Sequence, residues 1–240
     1  MKLFLFGIYA LITIMLIVLL NSTLALQAPL GKLLSPQQGL WQNAEPLDED
    51  YSAALVFPQL QGKASVYFDE RLIPHVFADN EMDAYFVQGY LHAKFRLWQM
   101  EFQTRAAAGR LSEIVGHKAL DYDRDKRRLG MVYGAENSLK EIEKDPVTLA
   151  ECDNYTAGVN AYIESLTQSS LPIEYKLLGY QPEKWTNLKS ALFLKYMALE
   201  LAGYERDFEM TNAKSVFSSA DFDKIYPVIM DSVDPIVPKG

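Results

Sequence analysis

The sequence predicts a helix-rich α+β domain preceded by an apolar helix long enough to cross a membrane. Three observations carry this. Leu3–Leu20 is uncharged and almost wholly apolar. Two short β-branched and aromatic runs lie side by side after residue 63. Nearly everything beyond them repeats its apolar residues at steps of three and four, the period of a helix packed on one face.

The first segment, residues 1–26, competes between two readings. At about 1.5 Å of rise per residue, Leu3–Leu20 approaches the ~30 Å hydrocarbon thickness of a bilayer. Lys2 and the amino terminus supply the positive charge of a cytoplasmic flank. A cleaved signal peptide has a shorter apolar region, yet Thr23-Leu24-Ala25 offers a small-x-small cleavage site. Membrane anchor and signal peptide both place the remaining chain outside the cytoplasm, anchored or secreted.

Residues 27–62 are punctuated by Pro29, Pro36, Pro46 and Pro58, with Gly31 and Gly39 between. This spacing predicts a linker or a loop lying on the domain surface, with Trp41 docked on something apolar. Ala64–Phe68 and Ile73–Ala78 then read as two strands, with Asp69-Glu70-Arg71 turning between them. Asn80 is a helix N-cap, and Asp83 three residues later resembles a capping box. Met82, Phe86, Tyr90, Ala93, Leu97 and Met100 form one apolar face of a long helix ending near Ala108, with Gly109 as its stop. The charge run Asp121–Arg128 reads as solvated surface. Residues 132–142, 148–166 and 190–203 read as further helices, the last apolar enough to be buried.

Composition excludes several functions. The chain has 240 residues, 49% hydrophobic and 22% charged, which is ordinary for a globular protein. A net charge of −8 lacks the electrostatic footprint of nucleic-acid binding. Cys152 is the sole cysteine, so no internal disulfide and no cysteine metal cluster can form. Alone, it reads as a small apolar residue. The sequence carries no GxSxG elbow, no SxxK pair, no P-loop and no HExxH. His75 reads as a hydrogen-bonded structural residue. Glu101 and Arg105, four apart, read as an exposed helix pair worth a few tenths of a kcal/mol.

The order of residues adds more than any single one. Asp69, Pro74-His75-Val76 and Ala78 precede Asp83-Ala84, Gly89-Tyr90, Ala93 and Arg96-Leu97-Trp98-Gln99-Met100. Arg105, Gly109-Arg110-Leu111-Ser112-Glu113, Gly116, Asp123 and Arg128-Leu129-Gly130 follow. Tyr155–Ile163, Leu171–Tyr175, Leu178-Gly179 and Pro182–Trp185 continue the series. Collinearly, this pattern resembles the penicillin acylase (penicillin amidase) family over roughly residues 63–212. Leu72 departs from it, standing where the family has Gly, as does Lys94, near the family's usual Asp.

The resemblance implies an N-terminal nucleophile hydrolase with an αββα sandwich, of which residues 63–240 would be the α portion. It implies hydrolysis of linear acyl amides by the first residue of a β portion, whose own α-amine acts as base. An α-amine pKa near 7.7–8.0 suits that role. On this reading the nucleophile lies beyond Gly240, no catalytic residue is in this chain, and the chain alone is inactive. The partners implied are the β portion of the same precursor, a small acyl-amide substrate and, through the first helix, a membrane. Glu209 is similar in position to a family carboxylate that helps hold Ca²⁺, with the other ligands supplied by β. Met197 and Leu201 fall where the family lines its acyl pocket. Arg96, Arg105 and Arg110 are expected to face the partner. The alternative is a membrane-tethered, non-catalytic binding or scaffold protein with the same fold.

Overall fold

A computed structural model describes residues 2–23, 28–44, 51–202 and 207–227. Leu24 and Ala25 of the possible cleavage site, Pro46, and the proline-rich end with Pro235 and Pro238 lie outside them. The chain divides into two units, Met1–Ala198 and Leu199–Gly240.

The first unit opens with α1, Lys2–Asn21, none of whose residues is buried. A single turn α2, Leu30–Leu33, and a 3-10 turn, Leu40–Asn43, follow. Strands β1, Ala64–Phe68, and β2, Pro74–Ala78, pair antiparallel from Ala64 opposite Ala78 to Phe68 opposite Pro74. Val66 and Val76 point inward, while Tyr67 and Phe77 meet edge to face on the open side. The Asp69 carboxylate holds the connecting turn by accepting the amides of Arg71 and Ile73, each at 2.9 Å. Leu72 occupies the left-handed region there, at φ +59°.

The long helix α3 runs Glu81–Ala108. Asn80 caps it, accepting from the Asp83 amide at 2.9 Å, and Gly109 ends it at φ +64°. Asp83 does not close a reciprocal capping box. Its buried carboxylate instead gathers the amides of Gln61 and Gly62, at 3.0 and 2.8 Å, and the Asn80 side chain. That ties the segment before the hairpin to the start of the helix.

The predicted single apolar face of α3 is too narrow. Phe86, Val87 and Leu91 pack against the hairpin and Phe57, whereas Ala93 and Leu97 pack toward Val159, Leu171, Tyr175 and Trp185. Its last turns, Thr104–Ala108, are buried on every side. The helix also kinks at Arg96, where φ is −142° and ψ 16°.

Helix α4, Ser112–Val115, and α5, Leu120–Arg128, return along the end of α3. Here the expected solvated charge run is corrected in part. Asp123 is buried, because its carboxylate accepts the free amides of Leu111 and Ser112 at 2.8 and 2.7 Å. Helix α6, Met131–Ile142, leads into α7, Pro146–Ser165, which has proline in its first turn and an Asp145 cap.

Helices α3 and α7 touch backbone to backbone. A Cβ on Gly89 would stand 2.1 Å from the Tyr155 carbonyl oxygen, and one on Gly158 1.9 Å from that of Phe86. Only glycine allows this approach. Helix α8, Ile173–Leu178, and α9, Asn187–Leu201, follow. The Asn160 side chain pins the loop between them, accepting from the Trp185 amide and donating to its carbonyl. The expected burial of α9 holds only at its start: Ala191 and Leu192 are buried, but Leu194 and Met197 are exposed.

In the second unit, α10, Asp207–Val216, and α11, Ser219–Ile225, pack together through Lys214 over the Phe222 ring. Ser218 caps α11.

Candidate functional site

Two arrangements in the first unit gather chemistry-bearing side chains. One is an ionic cluster where α3 ends. Arg105 Nε donates to Glu101 Oε1 at 2.9 Å, and its Nη1 donates to Glu113 at 2.7 Å. Its other arm stands 2.8 Å from Glu183. Arg110 donates to the same Glu113 and Glu183 carboxylates. The Tyr175 hydroxyl donates to Glu101 Oε2 at 2.7 Å, and Lys189 Nζ lies 3.2 Å from Glu183.

The Glu101–Arg105 pair is therefore not the exposed helix pair its spacing suggests. The side chains are 1% and 6% exposed, and two distant segments converge on them. Arg105 is likewise corrected from a partner-facing residue to a buried internal bridge, while Arg110 makes its bridges at the surface, 35% exposed. Burial first pushes the Glu183 carboxyl up, but Arg110, Lys189 and Arg105 outweigh it and bring it down to about 2. Burial and the Glu101 charge both push the Tyr175 hydroxyl up. Every charge in the cluster has an opposite partner, so it braces α3, α4, α8 and α9 and holds no group poised to react.

The other arrangement is an open groove of about 540 Å³ along α3, α7 and the start of α9. Met100, Trp185 and Phe193 are among its apolar lining, and His92, Arg96 and Glu151 among its polar lining. His92 Nδ1 is 3.0 Å from the Tyr155 hydroxyl. Partial desolvation by its neighbours lowers the pKa of His92, whose side chain still reaches solvent, and burial pushes Tyr155 up to about 12. Burial and the neighbouring Glu151 and Asp153 charges push the Cys152 thiol up, which keeps it protonated and unreactive. The groove offers binding surface without a nucleophile–base pair among the described residues. Arg96, exposed at the kink, has no carboxylate within ion-pair distance there among the described residues. Spacing alone did not reveal the groove, because the kink and the glycine-mediated approach of α7 create it.

The residues singled out from sequence sit elsewhere. Met197 is 37% exposed and Leu201 76% exposed, both on α9. Glu209 lies exposed in the first turn of α10 beside Asp207. No three His, Cys, Asp or Glu side chains group as metal ligands among the described residues. Calcium takes six to eight oxygens, so these residues do not make a calcium site by themselves. His75 faces solvent, with Nε2 3.4 Å from Asp69 Oδ2.

The family model for penicillin amidase matches residues 63–234. The chain belongs to the penicillin amidase family. It is 37% identical over 148 residues to the penicillin acylase 2 proenzyme of Pseudomonas sp. (strain SE83), covering 62% of this chain and 19% of that protein. It is also 37% identical over 120 residues to an acyl-homoserine lactone acylase of Pseudomonas aeruginosa, covering 50% of this chain and 14% of the relative. Its fold resembles that of thermostable penicillin G acylase from Alcaligenes faecalis, with a TM-score of 0.63 at 22% identity. That likeness covers 75% of this chain and 98% of the solved one. The chain thus spans less than a fifth of the length of these curated relatives.

Proposed function

We propose that this chain is the α portion of an acyl-amide hydrolase whose nucleophile resides on a larger β portion of the same precursor. One observation carries the reading: the fold aligns with nearly all of one solved penicillin G acylase chain, while the sequence match covers only 19% of a penicillin acylase proenzyme. A second fits it. Leu194, Met197 and Leu201 leave much of α9 apolar and exposed, as a helix awaiting a covering partner would be. Met197 and Leu201 would then contribute to the acyl pocket. Glu209 would supply one carboxylate to a calcium ion whose remaining oxygens come from β. The substrate class is a linear amide with an apolar acyl arm. The first helix would hold the assembly on the outer side of a membrane.

The test compares this chain with its whole precursor on phenylacetyl amides, aliphatic-acyl amides and N-acyl homoserine lactones, following release of acid and amine. The expected result is turnover by the precursor product and none by residues 1–240. Turnover by residues 1–240 alone would refute the division of labour. For the metal, calorimetry on the assembled protein should show calcium affinity lost in Glu209→Ala; unchanged affinity removes Glu209 from the site.

A further inference from the structure

The described residues after the apolar helix α1 pack back on its end. Ser22, just past its end, accepts the Leu30 amide at 3.4 Å, and Gly31 sits so close that a Cβ would be 3.0 Å from the Leu20 carbonyl oxygen. Ala28 and Leu33 are buried. The chain then folds back on itself, since a Cβ on Gly39 would be 2.2 Å from the Leu33 carbonyl oxygen.

A buried ammonium fastens this segment to α8. Lys176 is 4% exposed, and its Nζ donates to the Gly39 carbonyl at 3.1 Å, to Asn43 Oδ1 at 2.7 Å and to the Ser169 carbonyl at 2.9 Å. All three of its protons are used, and no carboxylate is among the acceptors. Asn43 in turn donates to the Leu171 carbonyl at 3.0 Å. A lysine held this way by neutral oxygens is costly to bury, so the geometry it fixes is specific.

That geometry turns apolar side chains outward. Trp41, expected to dock the segment, is instead 71% exposed on the clamped 3-10 turn, because Lys176 and Asn43 do the docking. Leu34, at the end of α2, is 54% exposed, and Lys32 beside it is also exposed. Trp sits at a bilayer's headgroup level, and an interfacial segment sets Trp and Leu into the headgroup–acyl boundary with Lys on its polar side.

We propose that Lys32, Leu34 and Trp41 form a second membrane contact, a seat in the headgroup region that the Lys176 clamp holds beside the end of α1. The occupant is the lipid surface, argued from continuity with α1, whose 20 residues, none of them buried, match the thickness of a bilayer core. The proposal rests on α1 being retained as a membrane anchor. With both contacts made, the body is fixed against the membrane on its α8 side and does not swing on a leash.

The experiment uses the full chain in phosphatidylcholine–phosphatidylglycerol vesicles. Flotation reports the anchor. Quenching of tryptophan emission by lipids brominated near the headgroup reports the seat, because Trp185 is buried and Trp98 half-buried in the body. Wild type should float and be quenched. Trp41→Ala should float and lose most of the quenching. Lys176→Met should float, keep its helical circular dichroism, and lose quenching toward the Trp41→Ala level. Undiminished quenching in a floating Trp41→Ala protein would overturn the seat and leave the anchor standing. A chain that does not float overturns the anchor, and the seat with it. Trp41 is exposed, so its substitution does not endanger folding.

Discussion

Replacing Gly158 by alanine puts a Cβ 1.9 Å from the Phe86 carbonyl oxygen, and replacing Gly89 puts one 2.1 Å from that of Tyr155. Real Cβ contacts do not fall below 3.0 Å, so α3 and α7 must separate by about 1 Å. Both obstructing atoms are backbone and cannot rotate away. Overpacking costs about 1–3 kcal/mol, and a backbone obstacle belongs at the upper end. Alanine returns about 1 kcal/mol of helix propensity, leaving each single variant destabilised by about 2 kcal/mol. For a chain of this size that lowers Tm by roughly 4–8 °C, read by circular dichroism in detergent. The double variant is more telling. The two glycines guard one crossing, Gly89 beside Tyr155 and Gly158 beside Phe86, so a single separation accommodates both methyl groups. The crossing cost of about 3 kcal/mol is then incurred once, against two propensity gains, and the double variant falls only about 1 kcal/mol below wild type. Gly134→Ala on α6, where the nearest atom is the Lys195 side chain at 3.7 Å, should stabilise by up to about 1 kcal/mol. Additive losses in the double variant would refute the single-crossing argument.

Three further outcomes are expected. Tyr175→Phe leaves Glu101 Oε2 without its buried donor and should cost about 1–3 kcal/mol in denaturant unfolding, where an unchanged midpoint would show that water replaces the hydroxyl. Leu72→Gly relieves an L-residue held at φ +59°, worth about 1–2 kcal/mol, against about 0.4–1 kcal/mol of added unfolded-chain freedom. It should raise the denaturation midpoint, whereas Leu72→Ala should not. Glu183 is held down to about 2 from an ordinary 4.5, so its stabilisation is complete above pH 4.5 and is lost as pH falls toward 2. Acid titration should show unfolding steepen across that window, and Glu183→Gln should flatten it; a profile unchanged by the substitution would remove Glu183 from the acid response.

The sequence by itself determined the local elements and the family. The strands at Ala64–Phe68 and Pro74–Ala78, the Asn80 cap and the Gly109 stop are fixed by side chains within a few residues of one another, so they could be read directly. The order of those elements carried the family because it survives where single residues do not, as at Leu72. Tertiary structure alone decided what each charge and each apolar face does. Glu101 and Arg105 read as a surface pair until Glu113 joins them and Tyr175 and Glu183 arrive from 74 or more residues away and shut out water. Asp123 looked solvated within its charge run, and is buried because the helix start at Leu111–Ser112 has free amides to satisfy. Trp41 looked like a docking residue, but the contact goes to Lys176, more than 130 residues away. Spacing along a chain records neighbours within a turn or two; desolvation and ion pairing depend on what folds over them from afar, and no local pattern encodes that.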